Sequence, residues 1–139
     1  MERVTLSRTV DADPETVRAL ITDVQSFMDA LGLDNVTVDG DRITLQNRMG
    51  LFDIELQLEV VDVEGAVLAY EQREGVFETM RTEYTVEDVP EGTEVTATTE
   101  FSAVDFAVIG EVLDATIVER QRRKELTAQL DWLERQVAA

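Results

Sequence analysis

The stretch of sequence that decides the fold is VTLSRTVDADPETVRALITDVQSFMDAL, residues 4–31. It opens with alternating apolar and polar residues, and this period of two predicts a β-strand over residues 2–10. The apolar positions of one parity are Val4, Leu6 and Val10. Arg8 shares that parity, so a charged side chain lies on the face of the strand that should be buried.

Two helix signals follow the strand. Asp13 is a good helix N-cap and Pro14 suits the first helical position, so a helix is predicted to begin there. The apolar stripe of this helix consists of Val17, Leu20, Ile21 and Val24. A second short helix is predicted from Gln25 to Leu31, ending at Gly32.

The central part of the chain, Asn35 to Phe101, is predicted to be almost entirely strand. Glycine-containing turn signals interrupt it at residues 39–41, 64–65, 74–75 and 90–92. Between these turns apolar residues alternate with polar ones, as in the set Phe52, Ile54, Leu56, Leu58 and Val60. Such alternation is typical of antiparallel strands with one buried and one solvated face, and it predicts about six strands here.

The last segment, from about Asp105 to Val137, is predicted to be one long helix. At about 100° per residue, its main apolar residues fall within a sector of about 60°. They are Val108, Val112, Ala115, Leu126, Leu130, Leu133 and Val137. Glu119 lies inside the same sector, and Arg122 and Arg123 lie just outside its two edges. The helix face that is predicted to pack against the sheet therefore contains one charged side chain and lies next to two others.

This order of elements resembles the START-like, or SRPBCC, superfamily, which includes polyketide cyclases, START lipid carriers and coenzyme Q-binding proteins. The residues that carry the resemblance are Val10, Ala12, Val17, Leu20, Asp23 and Phe27, together with the proline-started helix and the closing helix. Arg18 departs from the pattern, at a position where an aromatic residue often occurs. The resemblance covers essentially the whole chain and implies one α+β domain over residues 1–139. Its helix-grip fold would wrap a curved antiparallel sheet of six to seven strands around the C-terminal helix.

The same resemblance implies an apolar cavity between the sheet and the long helix, but no catalytic residue shared by all members. We therefore expect the chain to bind a small hydrophobic or amphipathic molecule, such as a lipid, a quinone or a polyketide-like compound, without a cofactor. One alternative is a cyclase-like or dehydratase-like enzyme that uses a cavity carboxylate, Glu78 or Glu119, as its catalytic acid–base, with Tyr70 or Tyr84 as hydrogen-bond donor. Another is a protein interaction module.

Composition excludes several kinds of chemistry. The sequence has no Cys and no His, which excludes disulfides, thiolate catalysis and a Ser-His-Asp triad. Any acid–base chemistry would have to use carboxylates, tyrosines, Lys124 or water polarised by arginine. We expect no metal site.

The charge balance is extreme, with 30 acidic residues against 12 basic ones and a net charge of -18. This composition resembles that of proteins from salt-in halophiles, in which molar salt screens self-repulsion; an acidic surface for a cationic partner is the alternative. Nucleic acid is disfavoured as a partner because phosphates need a basic surface. The chain has no apolar run long enough for a membrane span and no secretory signal pattern, so we expect a cytoplasmic protein.

Polar residues on apolar faces are the candidate ligand-binding groups. If one strand covers residues 76–86, its inward parity places Glu78 beside Met80 and Tyr84. A buried carboxylate must be paired, solvated or protonated, so Arg8 could pair with Glu78, or either residue could meet the polar group of a ligand. A single bulge before Glu78 would instead turn it outward.

Apolar and aromatic residues near the hairpin and on the inward faces of the predicted strands are candidates for lining the cavity. They are Met49, Phe52, Tyr70, Phe77, Met80, Tyr84 and, on the long helix, Val112. Methionine is adaptable and aromatic rings offer a large apolar area, which suits an irregular ligand. An ordinary core is the alternative for most of them.

Glu119 has three possible roles. It could pair with Arg122 or Arg123 at i+3 or i+4, as part of a structural network of charges. It could project into the cavity and bind or act on a ligand. In the third interpretation, the basic segment around it, residues 117–126, is an exposed docking surface for an acidic partner, which the interleaved Glu119 and Glu125 disfavour.

Overall fold

The computed structural model describes residues 1–49, 52–102 and 115–139. The elements are, in chain order, β1 (Glu2–Val10), α1 (Pro14–Thr22), α2 (Val24–Asp29), β2 (Asn35–Asp39), β3 (Arg42–Met49), β4 (Phe52–Val60), β5 (Leu68–Glu74), β6 (Met80–Val89), β7 (Gly92–Phe101) and α3 (Ala115–Ala138). The strands form one curved sheet in the order β1-β7-β6-β5-β4-β3-β2, with every neighbouring pair antiparallel. The predicted α+β helix-grip architecture is confirmed.

The N-terminal motif folds as its sequence predicts. The backbone N–H of Thr16 donates to the Asp13 carboxylate at 2.7 Å, which caps α1, and Pro14 is the first helical residue. This hydrogen bond lowers the pKa of Asp13. The apolar stripe of α1 is buried at Val17 and Ile21. Since α1 and α2 follow β1 directly, they carry the chain from one edge of the sheet to the other.

Alternation along the strands places one face of the sheet in the core. In β7 the burial alternates at every residue from Gly92 to Phe101, and in β6 the side chains of Met80, Thr82 and Tyr84 are buried. The turn between β2 and β3 uses Gly40 at a φ of 61°, a conformation that L side chains rarely adopt. The predicted parity of the strands is therefore correct over most of the sheet.

The predicted strand over residues 76–86 begins too early. Residues 75–79 form a bend, and β6 runs from Met80 to Val89. Gly75, at a φ of 156°, opens this bend. The parity argument therefore does not extend back to Glu78, whose side chain is exposed.

The core lies between the inner face of the sheet and α3. In the described part of α3, Leu126, Leu130 and Leu133 are fully buried, as the apolar stripe predicts. The helix packs against β1, β7 and α2. The prediction that the helix begins near Asp105 falls on residues outside those described. Among the described helices, none combines the length and the apolar character needed to cross a membrane.

Candidate ligand-binding site

An apolar cavity lies between α3 and the half of the sheet formed by β3 and β4. Its volume is about 50 Å³. The apolar residues of its wall include Leu45, Ile54, Leu56, Val76, Phe77 and Val118. Asn47, Gln121, Arg122 and Glu125 are the polar residues described at its surface. The surface of the cavity is therefore almost entirely apolar, and the polar groups of α3 are buried directly behind one end of it, which we call the polar end.

Gln72 positions the bend that carries part of this wall. Its side-chain amide donates to the backbone carbonyl of Phe77 at 2.7 Å and accepts from the N–H of Phe77 at 3.2 Å. The Phe77 ring in turn lies 5.3 Å from the ring of Phe101, centroid to centroid. Residues 75–79 thus attach to β5 and β7 without being part of a strand, and they bring Val76 and Phe77 onto the cavity.

A buried ion pair forms the polar end of the cavity. Arg122 and Glu125, three residues apart on α3, form a charge-assisted hydrogen bond, and their side chains are only 5% and 8% exposed. The other terminal nitrogen of Arg122 donates to the hydroxyls of Thr82 at 3.3 Å and Thr99 at 3.4 Å. These two hydroxyls, on neighbouring strands, also bond each other at 2.9 Å.

Arg122 stays charged in this environment. Burial lowers the pKa of Arg122, but the carboxylate of Glu125, with smaller effects from Tyr70 and Tyr84, more than offsets that, and the net pKa is raised. One donor of the guanidinium, Nε–H, is buried and has no hydrogen-bond partner among the described residues. An unmet buried donor is costly, so this site gains free energy if an acceptor reaches it.

A second buried polar network lies beside the ion pair. The Nε2 of Gln129 donates to the carbonyl of Phe27 at 3.1 Å, which leaves the Oε1 of Gln129 facing Tyr84. Because that oxygen can only accept, the hydroxyl of Tyr84 donates to it, at 2.6 Å. The Tyr84 oxygen must then accept the hydrogen bond of Tyr70, 3.1 Å away.

This direction of hydrogen bonding decides what the tyrosines can do. Burial raises the pKa of Tyr84 well above its usual value, so Tyr84 keeps its proton at neutral pH. The hydroxyl of Tyr70 donates a hydrogen bond to the oxygen of Tyr84, and the hydroxyl of Tyr84 donates one to the Oε1 of Gln129. Both donors are engaged within the protein, so neither is available to a ligand in this arrangement.

The structure places the predicted site residues in three different settings. Tyr70, Met80 and Tyr84 are buried on the inner face of the sheet, as predicted. Arg8 does not pair with Glu78: it bonds Asp131 of α3 at 2.5 Å and approaches Glu134 to 3.5 Å. Arg8 is on β1, next to α3, whereas Glu78 lies in the bend before β6, so the expected pair does not form.

The remaining charged candidates also lie away from the cavity wall. Glu78 is exposed and lies at an open groove of about 340 Å³ with Gln72, Met80 and Arg81. Glu119 pairs with Arg123 at 3.4 Å, as the first interpretation of that residue predicts, and both side chains are substantially exposed. The side chains of Met49 and Phe52, and all of Val112, fall outside the described part of the molecule.

Two buried residues of the site were missed by reasoning from sequence. Glu125 and Gln129 lie on the side of α3 next to the apolar stripe, and the buried face of the helix is wide enough to include them. Their spacing from Arg122, three and seven residues, places all three on one helix face. A polar stripe parallel to an apolar one is the signal that could have found them.

A sheet that grips a long C-terminal helix, with a cavity between the two, defines the START-like class of α+β proteins. The chain belongs to the family of polyketide cyclase/dehydrase and lipid transport proteins, whose family model matches residues 1–138. This membership supports a role in hydrophobic ligand binding or in cyclase chemistry. A search of curated proteins finds no significant sequence match.

Solved structures share the fold at low sequence identity. TTHA0849 from Thermus thermophilus is 19% identical with a TM-score of 0.75, and the match covers 99% of this chain and 97% of that one. The ZhuI aromatase/cyclase from Streptomyces sp. R1128 is also 19% identical, with a TM-score of 0.73 and coverages of 98% and 95%. A START superfamily protein from Mycobacterium smegmatis is 13% identical, with a TM-score of 0.70 and coverages of 98% and 97%.

Proposed function

We propose that the chain binds a small amphipathic molecule between α3 and the β3–β4 half of the sheet. The apolar part of the ligand would contact the wall that includes Leu56 and Phe77, and a polar atom would accept a hydrogen bond from Arg122. The observation that carries the proposal is the buried Nε–H of Arg122, a donor without a partner among the described residues, on a residue of an otherwise apolar cavity. Family membership supports the same role.

Burial of apolar surface would supply most of the affinity. Each methylene group removed from water contributes about 0.8 kcal/mol, so a six-carbon chain gains roughly 4 to 5 kcal/mol before the entropy of association is subtracted. A water molecule needs roughly 10–15 Å³ of such space, so about 50 Å³ holds only a few water-sized groups. A six-carbon ligand is larger than this space, so its binding would have to displace residues 75–79, which Gln72 attaches to β5.

A cyclase-like or dehydratase-like enzyme is the other candidate, and the geometry supports it less. Such chemistry needs a carboxylate that exchanges a proton with the ligand. Glu125 is the carboxylate described at the cavity, and it is bound to Arg122. Glu78 and Glu119 are not among the described residues of the cavity wall. The hydroxyls of Tyr70 and Tyr84 already donate hydrogen bonds within the protein.

Mass spectrometry of small molecules released on denaturation tests the binding proposal. The protein is purified in molar salt, and the wild type is compared with Val118→Phe, which fills the cavity from α3. Thr127→Phe, an exposed position on the same helix, is the matched control. We expect wild type and Thr127→Phe to release the same molecule, or to bind added hexan-1-ol, and Val118→Phe to do neither.

The proposal is wrong if the wild type releases no small molecule and binds no added hexan-1-ol. It is equally wrong if Val118→Phe folds and retains the same molecule as the wild type, because the molecule would then bind elsewhere.

A further inference from the structure

The polar end of the cavity is balanced in charge. Arg122 contributes one positive charge and Glu125 one negative charge, and both side chains are more than nine-tenths buried. The other polar residues described at the cavity surface, Asn47 and Gln121, are uncharged. The ion pair therefore adds no net charge to this end of the cavity.

We infer that Glu125 makes the site select an uncharged oxygen group, a hydroxyl or a carbonyl, over a carboxylate or an ammonium group. This inference rests on the proposed function. A ligand carboxylate beside Arg122 would bring a second anion next to Glu125 and leave a net negative charge in a buried apolar site. A ligand ammonium group would leave a net positive charge for the same reason.

Hydrogen-bonding capacity agrees with the charge balance. One terminal nitrogen of Arg122 bonds Glu125, and the other bonds Thr82 and Thr99. Nε is thus the guanidinium nitrogen without a partner among the described residues, and its one N–H needs an acceptor. A hydroxyl or carbonyl oxygen is an acceptor that satisfies this donor without adding charge.

A second Glu–Arg pair on the same helix provides the comparison. Glu119 and Arg123 are about 35% and 49% exposed at the side chain, so water screens any charge change there. Glu119 is also not among the described residues of the cavity wall. Replacing Glu119 by Gln thus changes the net charge of the protein as much as replacing Glu125 by Gln, but leaves the cavity unchanged.

Three probes of equal chain length test the inference on the wild-type protein. Binding of hexan-1-ol, hexanoate and hexylammonium is measured by calorimetry near pH 8. Molar salt is used because the net charge of -18 would otherwise repel the anion and attract the cation. At this ionic strength the Debye length is about 3 Å, so charges on the protein surface no longer affect the binding of the probes. We expect hexan-1-ol to bind at least tenfold more tightly than either ion, a difference of about 1.4 kcal/mol.

Substitutions then assign the preference to one residue. In Glu125→Gln the Arg122 charge is unbalanced, so we expect the ratio of hexanoate affinity to hexan-1-ol affinity to rise at least tenfold. Hexanoate should also raise the Tm of this variant more than hexan-1-ol does. Glu119→Gln should keep the wild-type ratio. If Glu125→Gln does not fold, the three-probe comparison on the wild type still decides the matter.

The outcomes separate this inference from the proposed function. If none of the three probes binds the wild type and no small molecule is released on denaturation, the proposed function fails and the inference with it. If the probes bind but hexanoate or hexylammonium equals or exceeds hexan-1-ol, only the inference fails. An equal change of the ratio in Glu125→Gln and Glu119→Gln would also overturn it, because a general charge effect would then account for the preference.

Discussion

Replacing Gln129 by Leu should disconnect the buried network that links α3 to the sheet and to α2. Gln129 is fully buried, accepts from the hydroxyl of Tyr84 at 2.6 Å and donates to the carbonyl of Phe27 at 3.1 Å. Leucine has a similar size but can make neither bond. Both partners would stay buried without their present hydrogen bond.

The loss of stability can be estimated from the two polar groups that lose their hydrogen bond to Gln129, the hydroxyl of Tyr84 and the carbonyl of Phe27. Each buried polar group that loses its partner costs about 1–3 kcal/mol, and the apolar surface of the new leucine offsets part of the sum. We expect the free energy of unfolding to fall by about 3 kcal/mol. At a urea dependence of about 2 kcal/mol per molar, the unfolding midpoint should move down by about 1.5 M.

Urea unfolding in molar salt measures this change. Trp132, the sole tryptophan of the chain, lies 6.2 Å from the Phe27 ring and provides the fluorescence signal. Gln136→Leu is the matched control, since Gln136 is exposed on the same helix, and its effect should stay within about 0.5 kcal/mol. A double-mutant cycle with Tyr84→Phe should give a coupling energy of about 1 kcal/mol or more.

Two results would refute this reasoning. A loss below about 1 kcal/mol for Gln129→Leu would mean that the buried groups are satisfied in another way. Strict additivity of Gln129→Leu and Tyr84→Phe would mean that the two side chains do not interact.

Three further predictions concern the backbone, the helix cap and the surface charge. Gly92→Ala should lower the free energy of unfolding by about 2–4 kcal/mol, since a β-carbon there would collide with the backbone of β1. Gly40 lies in open space, so Gly40→Ala should lower the free energy of unfolding by only about 1 kcal/mol. Equal losses in urea unfolding would contradict this prediction. Asp13→Ala should lower the Tm at neutral pH, and this loss should become smaller in acid. A carboxyl group whose pKa is lowered in the folded protein stabilises the fold above its ordinary pKa, and this stabilisation is lost as the pH falls through the pKa of the folded state. A Tm difference that is constant with pH would exclude the helix cap as its cause. For the wild type, with its net charge of -18, the Tm should rise from dilute buffer to molar potassium chloride, and a higher Tm in dilute buffer would contradict the halophile interpretation.

The fold could be predicted because its signals are local and repeated. Asp13 and Pro14 mark the start of α1 through the chemistry of one helix turn. Alternation along β4, β6 and β7 reports burial at every second residue, so single exceptions do not obscure it. The long helix was recognisable because Leu126, Leu130 and Leu133 recur at helical spacing.

The site was harder to predict because it depends on which strand faces each polar residue of α3. Gln129 is buried only because Tyr84 and Phe27 offer it a donor and an acceptor from other elements. Arg122 is buried because Glu125 balances its charge and two threonines bond it. Helical angles alone could not separate these residues from Glu119, which lies closer to the centre of the apolar stripe and yet is partly exposed.

Glu78 shows the limit of an argument from parity. Parity holds only while a strand is continuous, and the five residues before β6 form a bend. Gly75 was a visible signal for that break, but the sequence did not show how many residues the bend would include. When parity is extended through a bend, a residue is assigned to the wrong face of the sheet. The exposed carboxylate of Glu78 was for this reason predicted to face the cavity.

The strand order has a consequence for the rate of folding. β1 pairs along its whole length with β7, and Arg8 of β1 bonds Asp131 of α3. Ser7 and Thr96, whose hydroxyls bond each other across these two strands, are 89 positions apart in the sequence. Pairing over such a separation costs loop-closure entropy before any of its contacts form, and contacts of this kind slow folding. We therefore expect β1 to join the sheet after the consecutive strands β2 to β7 have paired.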